Sequence, residues 1–137
     1  MNRDGELAPH GHTALAMGID HIRLEGAQAE ARAVRYLQWR GWRIAARNWY
    51  GGGGELDIVA SRWRTLLIVE VRRRLTGSEA LVSIDRAKLD RTLRATQALV
   101  KAHNLERYYL RYDLIGIGKD ASLFHRRDIL HRGQLGE

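Results

Sequence analysis

The sequence contains no cysteine, which excludes a disulfide framework, thiolate zinc centres and cysteine nucleophiles. No apolar run approaches the ~18 residues of a membrane span. The N-terminus lacks the apolar core of a signal peptide, so the expected address is the cytoplasm, with no membrane partner. Internal repeats and low-complexity tracts are absent. Proline occurs once, at Pro9, and lysine only three times, at Lys88, Lys101 and Lys119, against 20 arginines. That scarcity matters below, because arginine and lysine are not chemically interchangeable.

What is present is one domain's worth of chain. The 137 residues are 45% apolar and 28% charged, ordinary values for a globular protein. Lys and Arg total 23 against 16 Asp and Glu, a formal net charge of +7 with a pI near 10.4. Such a balance favours a polyanionic partner, nucleic acid before all else.

Residues 1–20 mix glycine, Pro9 and scattered charge without periodicity and read as an N-terminal tail ahead of a domain over residues 21–137. From Ile22 to Arg40 apolar residues recur at helical spacing, with Ala27, Ala31, Val34 and Leu37 as the inner stripe and Gly41 as the stop. Glu30 lies on or beside that stripe, and periodicity alone sends its carboxylate to water at the stripe edge. Three strands follow. Trp42 to Trp49 ends at Tyr50 and the glycines 51–54, a hairpin signal. Glu55 to Ala60 is the second, and Thr65 to Arg72, almost wholly apolar, reads as a central strand covered on both faces. A second helix over Ile84 to His103, with inner stripe Leu89, Leu93, Thr96 and Val100, precedes strands near Tyr108 to Ile117 and Leu123 to Leu130. The order is α-β-β-β-α-β-β, an α/β fold with a mixed sheet flanked by helices.

The third strand carries the chemistry. Side chains two apart share a face, so Glu70 and Arg72 point the same way as Leu66 and Ile68. An acid inside a buried strand breaks core patterning, and such breaks concentrate at functional sites. A hairpin pairing strands two and three sets Asp57 beside Glu70. Two close carboxylates raise each other's proton affinity. A Mg²⁺ or Mn²⁺ ion, bound by hard oxygens and otherwise by water and phosphate, resolves the conflict. An ion-pair network with Arg72 or Arg73 resolves it equally well, and spacing does not choose between the two.

Several motifs together resemble a known family. Gly26, Glu30, Ala33 and Tyr36-Leu37, then Gly41, Arg47-Asn48, Gly54-Glu55-Leu56-Asp57-Ile58-Val59 and Ile68-Val69-Glu70-Val71, with Lys88 and Arg111-Tyr112-Asp113, are similar to the YraN-like family of small bacterial proteins. That family is assigned to the restriction-endonuclease-like fold with the PD-(D/E)xK nuclease signature, and it is similar to archaeal Holliday-junction resolvases. The resemblance implies that Asp57 and Glu70 hold the metal, with Glu30 as the helix-one acid that completes the site, and that the catalytic set is Asp57, Glu70 and the residue two after it.

One departure is serious. Where the family has lysine in Glu-x-Lys, this chain has Arg72. Arginine can bind phosphate bidentately but cannot act as a base, since its pKa exceeds ~12. Three readings follow: Arg72 is an electrostatic substitute, the lysine has migrated to Lys88 of the second helix, or the site has lost its chemistry and keeps nucleic-acid affinity.

Around this site Arg72, Arg74, Lys88 and Arg91, with Arg94, form a basic rim for backbone phosphates, with Arg73 turned to the other face. Trp63, between Arg62 and Arg64, is the aromatic expected to stack on unpaired bases, whereas Trp39 and Trp42 read as core or core-edge. The four glycines lead into a strand with no Gly-Lys-Ser/Thr, which excludes a phosphate-binding P-loop. The histidines show no ligand spacing, and Asp113 reads as a structural strand-end acid. The expected function is therefore a metal-dependent nuclease-like protein acting on DNA, on branched DNA by the resolvase resemblance, with a homodimer as the matching assembly. An inactive nucleic-acid-binding protein on the same fold is the alternative, and a protein that meets an acidic partner is a weaker third.

Overall fold

The computed structural model describes residues 20–74, 76 and 85–130, the first six of them by backbone alone. The elements are α1 (Asp20–Trp39), β1 (Arg43–Gly51), β2 (Gly54–Arg62), β3 (Thr65–Arg74), α2 (Arg86–His103), β4 (Tyr109–Gly118) and β5 (Leu123–Arg126). Their order is the expected one. The tail foreseen over residues 1–20, apart from Asp20, lies outside the described residues, as does the helix start foreseen at Ile84.

The strands form one five-stranded sheet in the order β1-β2-β3-β4-β5. Neighbours are antiparallel except β3 and β4, which run parallel. A parallel pair needs a crossover, and α2 supplies it. Alternation along β3 divides the core. Leu66 and Ile68 join Ala95 and Leu99 of α2 on one face, while Leu67 and Val69 join Ala33, Val34 and Leu37 of α1 on the other. The central strand is thus buried on both faces, as its continuous apolar run requires.

Helix α1 buries Ala29, Ala33, Val34 and Leu37, while Ala27 is exposed and Ala31 half-buried. The stripe therefore begins on the other alanine set. Ala27, Ala29, Ala31 and Ala33 alternate, so two four-residue series fit the spacing equally well and only packing selects one. The helix ends with Gly41 in the left-handed region, φ 87°. The Trp42 N–H donates to Leu37 O at 3.1 Å and the Gly41 N–H to Gln38 O at 3.0 Å. This C-terminal motif pulls Trp42 onto Leu37 in the core. The same turn leaves Trp39 outside, 90% exposed. Trp42 is thus core, as expected, and Trp39 is not.

The β1–β2 turn is built from Gly52 (φ 60°) and Gly53 (φ 80°) between the paired Gly51 and Gly54, a two-residue hairpin that needs positive φ at both central positions. Glycine serves a second purpose here. A Cβ on Gly54 would lie 2.4 Å from Arg91 O, and one on Gly52 2.6 Å from Arg94 O. The hairpin is seated directly on the backbone of α2. At its N-terminus α2 is capped by Asp85, whose carboxylate accepts the Ala87 N–H at 2.9 Å.

Candidate functional site

Strands β2 and β3 pair from Arg62 opposite Thr65 up to Ile58 opposite Val69. One step further would set Asp57 opposite Glu70. There the ladder changes partner: the Val71 N–H donates to Asp57 Oδ2 at 2.9 Å, so a side-chain carboxylate takes a backbone donor. From Glu70 to Arg74, β3 is paired with β4. The sheet opens into a fork at this point, with Asp57 on one prong and Glu70 on the other.

Glu70 continues the alternation that sends Leu66 and Ile68 toward α2, and α2 answers it. Lys88 Nζ lies 2.9 Å from Glu70 Oε1, and Arg72 Nε lies 3.2 Å from the same oxygen. Lys88 also acts on Asp57 through its charge. Burial pushes the Asp57 carboxyl up to about 6, against the Val71 N–H and Lys88, which pull it down, while Glu55 and Glu70 add to the rise. The Glu70 prong borders a cleft of about 380 Å³, bounded by Gly26 of α1, Glu70, Val71 and the arginines 72–74 of β3, and Asp85 and Lys88 at the start of α2.

Glu30 is placed otherwise than periodicity suggested. It is buried, 8% exposed, and its Oε1 accepts from Arg47 Nε at 2.8 Å and from Asn48 Nδ2 at 3.0 Å. Asn48 adopts φ 51° within β1, a conformation asparagine tolerates. It stands between the pairs Arg47–Ile58 and Trp49–Leu56, which sets it across from Asp57. Glu30 is thus tied to β1 at the position across from Asp57, and the charges acting most strongly on Asp57 do not include it. Among the described residues no group of three or more acidic or histidine side chains stands close enough to share a metal ion.

Of the remaining candidates, Arg74 and Arg91 are exposed near the cleft, on β3 and α2. Trp63 is 90% exposed at the β2–β3 turn, with φ 56°, at the opposite end of β3 from Glu70.

A second buried acid is Asp113, which the sequence reads as a structural strand acid. Asp113, 1% exposed, accepts from Arg111 Nε at 3.1 Å and Nη2 at 2.9 Å, and from the Asp128 N–H at 2.9 Å. His125 Nε2 lies 2.6 Å from its Oδ2, and His125 Nδ1 lies 2.9 Å from the Tyr36 hydroxyl. Burial alone would raise the Asp113 carboxyl; the bonds from His125, Arg111 and Asp128 outweigh it and hold it below the usual carboxylate range.

Fold and fork together define a small α/β protein whose mixed sheet carries a carboxylate pair neutralised from one side by lysine and arginine. The chain belongs to the uncharacterised protein family UPF0102, whose profile matches residues 29–117. A UPF0102 protein of Myxococcus xanthus is 37% identical over 105 residues, 73% of this chain and 83% of that relative. One from Pseudomonas putida is 42% identical over 95 residues, 67% and 77% of the two chains, and one from Dinoroseobacter shibae is 34% identical over 110 residues, 80% and 81%. Among the described residues no helix is long and apolar enough to cross a membrane.

Proposed function

We propose that this protein is a metal-dependent nuclease of restriction-endonuclease-like type, acting on DNA and, as the motif resemblance noted above implies, on branched DNA. The observation that carries the reading is the fork itself: Asp57 and Glu70 on diverging prongs, with a cation from α2 on Glu70 and a basic cleft beside Glu70. Two hard oxygen donors with room for water and phosphate oxygens suit Mg²⁺ or Mn²⁺, which keep several waters. The desolvated state of Asp57 fits as well, since a nearby divalent charge would relieve it.

In this reading Asp57 and Glu70 hold the ion, and Glu30 orients the fork through Asn48. The ion, when bound, supplies activated water and charge neutralisation at phosphate. Lys88 takes the place of the family lysine: its ammonium is beside Glu70 and within the field of Asp57, where an amine can position a water or give a proton to the leaving oxygen. Arg72, fixed on Glu70, and Arg74 receive the scissile strand's phosphate charge. A homodimer would present two such forks to paired strands.

A second reading has its own support. Lys88 and Arg72 both sit on Glu70 Oε1, the arrangement of a closed ion-pair network, which suits a nucleic-acid-binding protein without turnover. Cleavage of a panel of duplex, flap and four-way-junction DNA with Mg²⁺ or Mn²⁺ separates the two. Wild type is expected to cut, Asp57→Ala to lose cutting by at least a hundredfold while keeping DNA affinity, and Lys88→Ala to lose cutting by as much with binding weakened only by the one lost phosphate contact. Cutting unaffected by Lys88→Ala returns the lysine's role to Arg72. Silence of wild type and of Arg72→Lys alike, with salt-dependent binding intact, leaves the binding protein.

A further inference from the structure

The face of the sheet that carries α1 holds a second basic cleft, unrelated to the fork. It measures about 280 Å³ and opens between the C-terminal end of α1, the end of β2 and the start of β4. Four guanidinium groups line it, those of Arg40, Arg62, Arg111 and Arg127, and among the described residues that line it none is acidic.

Three of these groups are held in place. Arg62 lies over the Trp42 ring with its Cζ 4.0 Å from the centroid, and its Nη1 donates to Arg40 O at 2.7 Å. Arg111 lies against the same ring at 5.2 Å and is fixed from behind by its two bonds to buried Asp113. Arg40 stacks over Tyr36 at 4.4 Å. Arginines on a plain solvated surface spread apart and keep their rotamers free. Here their freedom has been removed by stacking, and among the described residues the acid paired with them is Asp113, already bonded by Arg111, His125 and the Asp128 N–H. Such a cleft is preorganised for an anion with several acceptor oxygens.

The rim adds the other half of a ligand. Trp39 is 90% exposed, is thrown outward by the turn at Gly41, and borders the cleft. A large flat apolar ring kept in water beside fixed guanidinia is the pairing that binds an unstacked base and its phosphate.

We propose that this cleft is a nucleotide-binding site, in which the guanidinia take the phosphate of an unpaired nucleotide and the indole of Trp39 stacks on its base. The nucleotide is either free or part of a single strand. The site lies across the sheet from Asp57 and Glu70, so its binding needs neither the metal nor cleavage.

Binding of inorganic phosphate, thymidine monophosphate and an eight-residue 5′-phosphorylated oligothymidylate to the full chain, in EDTA, tests this. Trp39→Ala, a change at an exposed position, should weaken the oligonucleotide about tenfold and leave inorganic phosphate unchanged. Arg40→Ala should weaken all three ligands. Asp57→Ala should bind them as wild type does, which keeps this result separate from any failure of the nuclease reading. An oligonucleotide bound at least tenfold more tightly than the monophosphate identifies single strands as the source, and equal affinities identify the free nucleotide. If neither Trp39→Ala nor Arg40→Ala alters any of these affinities, with circular dichroism unchanged, the proposal is wrong.

Discussion

Asp57 and Asp113 are two strand acids with opposite fates, and the difference lies in their donors. Asp113 is met by a bidentate arginine, a histidine and a backbone N–H, enough to keep it ionised without water. Asp57 is met by one backbone N–H and a lysine bonded elsewhere, and its carboxyl rises to about 6. A carboxyl raised on folding favours the folded state most below its unfolded value near 3.8 and loses that contribution as pH climbs through about 6. Asp57→Asn, which keeps an acceptor for Val71, should therefore stabilise the metal-free protein by on the order of 2 kcal/mol at pH 8. The gain should shrink toward pH 4. Urea denaturation in EDTA at the two pH values measures it, and a less stable Asn variant at pH 8 would show that Lys88 compensates the charge after all. That Asp57 and Glu70 come together was legible because a hairpin pairing of β2 and β3 sets the two positions side by side. The position of Glu30 was not, since its partners, Arg47 and Asn48, come from a strand whose left-handed Asn48 no periodicity announces.

At the scale of elements, the glycine run does more than turn the chain. With Gly52 and Gly54 pressed on the carbonyls of Arg94 and Arg91, the hairpin fixes where α2 lies, and α2 carries Lys88. Gly54→Ala should push the helix back by tenths of an ångström or more and loosen the Lys88–Glu70 pair. The expected outcome is a folded protein destabilised by about 1–3 kcal/mol and a DNA-cleavage rate reduced as in Lys88→Ala, though less severely. An unchanged stability and rate would mean that the hairpin yields and α2 does not depend on it. The order of elements was readable from periodicity and glycine punctuation, because each strand and helix has its own internal pattern. Contacts between elements left weaker traces. The alternating alanines of α1 fit two stripes, and only the sheet beneath chose Ala29 and Ala33. Trp39 carries the same side chain as Trp42, and the turn at Gly41 sends them to opposite environments.

For the molecule as a whole, the formal charge of +7 is gathered at places that matter. Arg72, Arg74, Lys88 and Arg91 border or approach the fork, and a second group of arginines lines the cleft on the α1 face. If roughly four cations at the fork replace counterions on duplex DNA, the logarithm of affinity should fall against the logarithm of salt with a slope of about −3 to −4. Arg91→Ala, at an exposed position, should flatten that slope by about one; a slope it leaves unchanged would remove Arg91 from the binding surface. The edges of the sheet have a consequence of another kind. β1 is broken by a register shift between Ile44 and Ala46 and again by the left-handed Asn48, and it carries Arg43 and Arg47. β5 is only four residues long, ending on Arg126 with Arg127 just beyond it. Neither border offers a flat, uncharged row of backbone groups on which another strand could build. Among the described residues the sheet borders thus resist edge-to-edge pairing, so copies of this chain that meet would favour helices or turns over ribbon-like growth of the kind that ends in fibrils.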